Sequence, residues 1–350
     1  MNVLDYSPQL LSRAPDSPLT FLNWNHLACV GRPFNLAATL ASGQSFRWRQ
    51  DAAGIWWGVV ERIGMAVWQE EGQPDSPLYW QTFPEPNRED VVADYFRLDV
   101  DLEGLYADWT RREPRITDAL AAFRGLRILR QPPLECFFGF LCATCNTVIK
   151  IERSVRRLAE RYGEEIALTG LPFSLSAFPT IAALADADED ALRADLWGYR
   201  APLVLRLARH LQTLPPDWLP SLRQASYAEA HAELSTLHGI GAKLADCICL
   251  FALDKDAAVP IDTHIRKIGA RLFLPELADK SLTPRNYAAF ADAYRDRFGP
   301  YAGWAQQYLF FAELRRIPPR GSAYPQPLSR RGERDQFSIS PLPSDEGNPR

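Results

Sequence analysis

Residues 237–265 read "LHGIGAKLADCICLFALDKDAAVPIDTHI", and this stretch decides the reading of the chain. Two segments of helical composition, "YAEAHAELST" and "AKLADCICLFAL", meet at a turn that carries Gly239 and Gly241. Two glycines one residue apart let a backbone turn through conformations closed to other residues. The turn leaves N–H groups at the start of the second helix unpaired and pointing outward. Such a helix start suits a phosphate oxygen, a contact that positions a nucleic acid without reading its sequence. An ordinary helix–helix connection with glycine as C-cap uses the same residues.

Lys243 follows in the first turn of the second helix, where the positive end of the helix dipole disfavours a cation. Desolvation there would lower its pKa and make a neutral amine available. A neutral amine attacks carbon electrophiles and forms Schiff bases. The plainer alternative is a surface lysine touching a phosphate. Nineteen residues on comes Asp262. Pro260 and Ile261 bring the chain in extended, and "THIRKIGARLF" is helical, so Asp262 is a natural N-cap. A capping carboxylate stays ionised, held by backbone N–H groups and the dipole, and can face a positive charge developing on a substrate. The two roles can coexist.

Outward from this stretch the chain changes period once. Residues 34–83 contain "FNLAATLASGQSFRWRQ", "GIWWGVVERIG", "MAVWQEEG" and "PLYWQTF", aromatic and β-branched segments separated by Gly, Pro and Asp. They predict an antiparallel sheet. From Arg88 onward apolar residues recur at helical spacing, and about ten helices are expected up to Arg316. Start signals include Ser226 with Glu229 as a capping box, Thr283 before Pro284, and Pro300. The expected fold class is α+β: an N-terminal antiparallel twisted β-sheet domain followed by a mostly α-helical domain. The expected divisions are a flexible lead-in at 1–20, a sheet domain with linking helices at 21–130, a helical domain at 131–318, and a Pro-, Ser- and Gly-rich disordered tail at 319–350.

Composition sets the limits. The 350 residues are 47% hydrophobic and 23% charged, with a formal net charge of -4, so nucleic-acid binding would need a local basic surface on an acidic background. The N-terminus lacks the pattern of a signal peptide, and no long apolar run predicts a membrane span. Six cysteines with no secretory signal are expected to be free thiols in a reducing compartment. Cys142, Cys145, Cys247 and Cys249 have the number for a zinc site but lie in apolar helical segments without glycine knuckles, so no metal and no cofactor are expected.

The stretch 237–265 strongly resembles the hairpin and downstream aspartate of the helix–hairpin–helix base-excision glycosylase superfamily, and more narrowly the 8-oxoguanine DNA glycosylase/AP lyase family. "SGQSFRWR" at 42–49 is similar to that family's N-terminal signature, and further matches run through "DYFRLDVDLEGLYADW", "LWGYRA" and "GWAQQYLFFAELR". The resemblance covers roughly residues 34–316. It implies that the hairpin at Gly239 and Gly241 grips the DNA backbone, that Lys243 attacks the sugar, and that Asp262 supports the transition state. It implies that the Gly43 carbonyl accepts from N7–H of 8-oxoguanine, which guanine lacks. An acceptor left without its donor costs about 1–3 kcal/mol, enough to discriminate one N–H. By the same resemblance Gln306 bonds the Watson–Crick edge of a flipped base, Phe310 stacks on its face and Cys247 lies on the other side. Tyr199 would wedge the duplex and Arg200 would read the orphaned cytosine. For Phe310 a place in the helix core is a competing reading.

The sequence departs from the family at "LCATCNTVIK". Cys145 stands where the family presents an asparagine that fills the gap in the duplex, and Lys150 where it commonly has arginine. Asn146 remains available. His264, beside Asp262 at a helix start, is a candidate phosphate contact. The implied protein is an intracellular, DNA-associated enzyme, monomeric, acting on duplex DNA containing oxidised guanine opposite cytosine. Two rivals stand beside it: a helix–hairpin–helix glycosylase for other damaged purines, and a non-catalytic DNA-binding module.

Overall fold

Antiparallel pairing organises the N-terminal part of the chain. The structure, a computed structural model, describes residues 23–143, 146–168 and 173–317; the lead-in expected at 1–20, the tail at 319–350 and Cys145 lie outside them. Five strands, β1 (Asn25–Leu27), β2 (Arg49–Gln50), β3 (Trp56–Val60), β4 (Ile63–Trp68) and β5 (Leu78–Phe83), form one sheet in the order β1-β5-β4-β3-β2. The two-residue period of a strand sends alternate side chains to opposite faces. Trp56, Val60, Met65, Val67 and Trp80 pack on one face with Trp48, Tyr95 and Phe96. Trp57, Val59, Ala66 and Phe83 pack on the other with Ile166, Leu168 and Ala177.

One segment expected as strand is a helix. Residues 36–41, "LAATLA", form α1 (Leu36–Ala41), capped by the Asn35 side chain, which accepts from Ala38 N. Leucine and alanine are strong helix formers, and Leu36, Ala38 and Leu40 are buried, so burial and propensity agree on helix. The strand that begins the sheet, β1, lies instead before residue 34.

The helical part is more fragmented than the periodicity suggested. α2 (Glu89–Tyr95), α3 (Leu102–Arg112) and α4 (Thr117–Ala122) lead away from the sheet. α5 (Pro133–Ala143) and α6 (Val148–Tyr162) follow, then an unforeseen hairpin of β6 (Glu165–Ala167) and β7 (Ser174–Ser176) that covers the outer face of the sheet. α7 (Ile181–Ala185), α8 (Glu189–Leu192), α9 (Ala201–Leu211) and α10 (Trp218–Ser221) precede α11 (Tyr227–Thr236) and α12 (Ala242–Ala252). α13 (Thr263–Leu272), α14 (Pro284–Phe298) and α15 (Ala302–Leu314) complete the bundle. The capping box at Ser226 and Glu229 and the Thr283 cap both form as read from sequence.

The two parts are joined through polar contacts as well as core. Arg47 forks onto Glu135 at the start of α5, with Nη2 2.6 Å and Nε 2.9 Å from its carboxylate oxygens. Arg97 forks onto Asp256 at 2.6 and 3.0 Å, and Trp304 of α15 donates to the same carboxylate at 2.8 Å. Among the described residues no helix is long and apolar enough to cross a membrane.

Candidate active site

The hairpin between α11 and α12 is built asymmetrically. Gly239 has φ +84°, and a Cβ there would lie 2.9 Å from a Leu203 methyl, so glycine is required twice over. Gly241 has φ −91° and ψ 174°, which any residue adopts, and a Cβ would meet nothing within 4 Å. The expectation that both glycines serve the turn is therefore corrected: Gly239 makes the turn, whereas Gly241 leaves the approach to the helix open. Among the described residues no acceptor meets the N–H groups of Gly241, Ala242 or Lys243. A dipole-backed cluster of free donors faces outward at the start of α12.

Lys243 is half-buried, its Nζ 5.6 Å from the centre of the Phe140 ring on α5. Burial works to lower the pKa of its ammonium, but the Cys247 sulfur, which it hydrogen-bonds, and the Asp262 carboxylate overrule that effect, and the net displacement is upward. The neutral amine expected from desolvation is thus not the resting state. The Asp262 charge and the hydrogen-bonded Cys247 sulfur favour the ammonium. Burial pushes the Cys247 thiol up to about 11, against the lowering effect of Lys243.

Asp262 is the N-cap of α13. Its Oδ1 accepts from Ile265 N at 2.8 Å, which pins the carboxylate and leaves its charge within reach of Lys243. His264, one residue into α13, stands edge-on to Phe310 of α15 with ring centres 5.9 Å apart. Phe310 Cε1 in turn lies 3.9 Å from the point where a Cβ on Gly43 would be. Gly43 has φ +77°, and no donor among the described residues reaches its carbonyl. One turn before Phe310, Gln306 is 3% exposed and its Oε1 has no hydrogen-bond partner. An orphaned buried acceptor is costly unless a ligand completes it. Gly43, Gln306, Phe310 and His264 thus lie around α15 and its neighbours.

Several elements hold this arrangement that the sequence did not single out. Gln307 Nε2 donates to the Ser42 carbonyl at 2.9 Å, tying the Gly43 loop to α15. Gln44 is buried and donates to the Thr39 and Arg127 carbonyls, while Gln131 donates to the Gln44 carbonyl at 2.7 Å. Gln44 sits inside the "SGQSF" signature, so a signal was present; Gln307 had none beyond its neighbour Gln306.

The residues expected on the opposite strand lie elsewhere. Tyr199 is 69% exposed, and the Arg200 guanidinium, 7% exposed, stacks 4.3 Å over its ring. Leu196 just before them has φ +70°, so this turn is locally strained. Lys150 is exposed on the first turn of α6. Asn146 is turned inward: its Nδ2 donates to the Cys142 carbonyl at 3.3 Å and its Oδ1 accepts from Thr147 N at 3.0 Å, so it closes the end of α5. Cys29, Cys136, Cys142, Cys247 and Cys249 are buried free thiols, and among the described residues no group of His, Cys, Asp and Glu is arranged to hold a metal.

A donor-lined hairpin and a coupled amine and carboxylate, set against a sheet domain, mark a class. Residues 140–288 match the HhH-GPD superfamily of base excision DNA repair proteins, and residues 26–137 match the N-terminal domain of 8-oxoguanine DNA glycosylase. The chain is 33% identical over 316 residues to the N-glycosylase/DNA lyase OGG1 of Arabidopsis thaliana, covering 89% of this chain and 86% of that protein. It is 30% identical over 316 residues to the N-glycosylase/DNA lyase of Saccharomyces cerevisiae, covering 80% and 83%. The chain belongs to the 8-oxoguanine DNA glycosylase family of N-glycosylase/DNA lyases. Among solved structures it is similar to the Clostridium acetobutylicum 8-oxoguanine glycosylase/lyase in complex with double-stranded DNA containing cytosine opposite 8-oxoG, with TM-score 0.70, 27% identity, and 81% and 93% coverage. A 3-methyladenine DNA glycosylase from Archaeoglobus fulgidus shares the fold at TM-score 0.64 and 19% identity.

Proposed function

We propose that this chain is a bifunctional DNA glycosylase/AP lyase that excises 8-oxoguanine opposite cytosine from duplex DNA through a Schiff base on Lys243, acting as a monomer without metal or cofactor. The observation that carries the reading is the Lys243 ammonium favoured by the Asp262 charge, together with two acceptors left without partners, Gly43 O and Gln306 Oε1.

The free N–H groups at the start of α12 and His264 at the start of α13 take backbone phosphates. Tyr199, already exposed, enters the stack as the damaged nucleotide flips out. The flipped base lies between Phe310 and Cys247, its N7–H donating to Gly43 O and its Watson–Crick edge donating to Gln306 Oε1. Guanine lacks N7–H and would leave the Gly43 carbonyl without a partner. Arg200 must leave its stack on Tyr199 to meet the orphaned cytosine, with Lys150 on the same strand. Asn146 is committed to α5, and Cys145 lies outside the described residues, so opposite-base recognition leans on Arg200.

Binding supplies the step that the resting site lacks. Lys243 loses a proton, and its amine nitrogen bonds to C1′ as the bond from C1′ to the base nitrogen breaks. The electron pair leaves with 8-oxoguanine, which takes up a proton. Asp262 faces the positive charge that builds on the sugar. Loss of a second proton from nitrogen and opening of the sugar ring give the imine, and abstraction of a C2′ proton expels the 3′ phosphate. Cleavage and borohydride trapping on duplexes carrying 8-oxoguanine opposite each of the four bases test the reading. Efficient trapping opposite cytosine that Lys243→Gln abolishes is expected; trapping that persists in that variant, or no excision by the wild type, overturns it.

A further inference from the structure

Asp246 is an acid in an otherwise apolar face of α12, and the chemistry above does not use it. It is 0% exposed. Its Oδ1 accepts from the Tyr227 hydroxyl of α11 at 2.6 Å and its Oδ2 from the Tyr287 hydroxyl of α14 at 2.5 Å. His231 Nε2 of α11 stands 3.8 Å from Oδ1. The Tyr287 oxygen also accepts from the backbone N–H of Ile261 at 3.2 Å. A chain of hydrogen bonds therefore runs from α12 through α14 to the residue before Asp262. Its two ends are three positions from Lys243 and one peptide from Asp262.

We propose that the Asp246–Tyr287–Ile261 chain is a positioning device that sets the separation of Lys243 and Asp262. Lys243 and Asp262 sit on different elements, and the stretch between them, from the end of α12 to the start of α13, makes no helix or strand pairing that would hold them in register. Arg97 and Trp304 hold Asp256 in the middle of this stretch, and Tyr287 braces its far end, beside Asp262. The Tyr287 hydroxyl donates to Asp246 and accepts from Ile261, so it holds both partners at once. Tyr227 binds the other carboxylate oxygen and does not reach Ile261, which separates packing from positioning. Misplacing reacting groups by about 1 Å can cost about 10²-fold in rate.

The inference rests on the proposed Schiff-base chemistry, and the test keeps the two apart. Tyr287→Phe, Tyr227→Phe and Asp246→Asn are compared in single-turnover excision and borohydride trapping, with rates normalised to the active fraction and the Kd for duplex DNA measured alongside. Two duplexes are used, one with 8-oxoguanine opposite cytosine and one with an abasic site. The expected result is a fall of about tenfold or more in the trapping rate constant for Tyr287→Phe on both duplexes, with Kd within about twofold. Tyr227→Phe keeps a rate near wild type at a similar loss in Tm, and Asp246→Asn, which retains one acceptor, falls between. Equal rate losses in the two Tyr variants, or none in Tyr287→Phe, overturn the inference. If Tyr287→Phe does not fold, Asp246→Asn with a wild-type rate overturns it. Wild-type trapping on the abasic duplex alone refutes the 8-oxoguanine reading while the positioning comparison still runs there. Trapping on neither refutes both.

Discussion

Gln307 of α15 donates to the main-chain carbonyl of Ser42 at 2.9 Å, across 265 residues of sequence. Gln307 is buried, and the next residue after Ser42 is Gly43, whose carbonyl is the proposed reader of oxidised guanine. The loop that would recognise the base is thus held by the helix that would line its pocket. Removing that donor with Gln307→Leu leaves a buried carbonyl unpaired, a cost of about 1–3 kcal/mol in urea unfolding. The loop would also lose its register against Phe310. Selectivity for 8-oxoguanine over guanine, compared as binding to the two duplexes by Lys243→Gln protein carrying the same change, is expected to fall more than total affinity.

Substitution separates the cap that Asp262 forms from the charge it is proposed to present to the sugar. Asparagine caps helices about as well as aspartate, so Asp262→Asn is expected to leave stability within a few tenths of a kcal/mol, whereas Asp262→Ala costs about 1 kcal/mol. Excision should fall about 10²-fold or more in both, because the charge facing the sugar is gone. Calorimetry alongside single-turnover rates checks the split; equal stability of Ala and Asn variants would remove the cap from the account.

The pH dependence has a definite sign. Cys247 and Asp262 hold the Lys243 pKa above its ordinary 10.5, so the ammonium dominates at neutral pH, and in the proposed mechanism its deprotonation limits attack. The excision rate constant is expected to rise with pH through the alkaline range. Asp262→Asn removes one of the upward influences, so the rising limb moves to lower pH even as the plateau drops. A limb that stays in place or moves up in the variant would contradict the coupling of the two side chains.

Gly239 and Gly241 should respond differently to the same change. Gly239→Ala places a Cβ in left-handed backbone and 2.9 Å from Leu203, and is expected to cost about 1–2 kcal/mol in unfolding. Gly241→Ala meets open space and ordinary backbone, so it is expected to cost only the difference between glycine and alanine as N-cap, under about 1 kcal/mol, while DNA affinity falls because a side chain is added beside the free N–H groups of α12. Urea denaturation and a salt titration of DNA binding give the two readouts.

Local chemistry settles much of this protein from sequence alone. The hairpin at residues 237–243, the Asp262 cap, the capping box at Ser226 and the helical run after Arg88 follow from residues within a few positions of one another, and a turn or cap needs no more information than that. Short range also explains the misreadings. Residues 36–41 were grouped with strands by their aromatic neighbours, yet Asn35 and a run of Leu and Ala make them α1. The hairpin β6–β7 is too short to announce itself.

Tertiary structure alone decided the state of the site. The protonation of Lys243 depends on Cys247, one turn on in the same helix, and Asp262 together outweighing burial, and the burial and the Asp262 influence are set by three-dimensional distance. The Gln307–Ser42 clamp and the brace from Asp246 through Tyr287 to Ile261 join residues far apart in the chain, and the orphaned Gln306 oxygen is a product of the packing around it. Sequence specifies which groups a helix carries and where it begins. Which groups meet, and which polar atoms are left waiting for a ligand, is decided by packing between elements, because desolvation and Coulomb energies are properties of position in space.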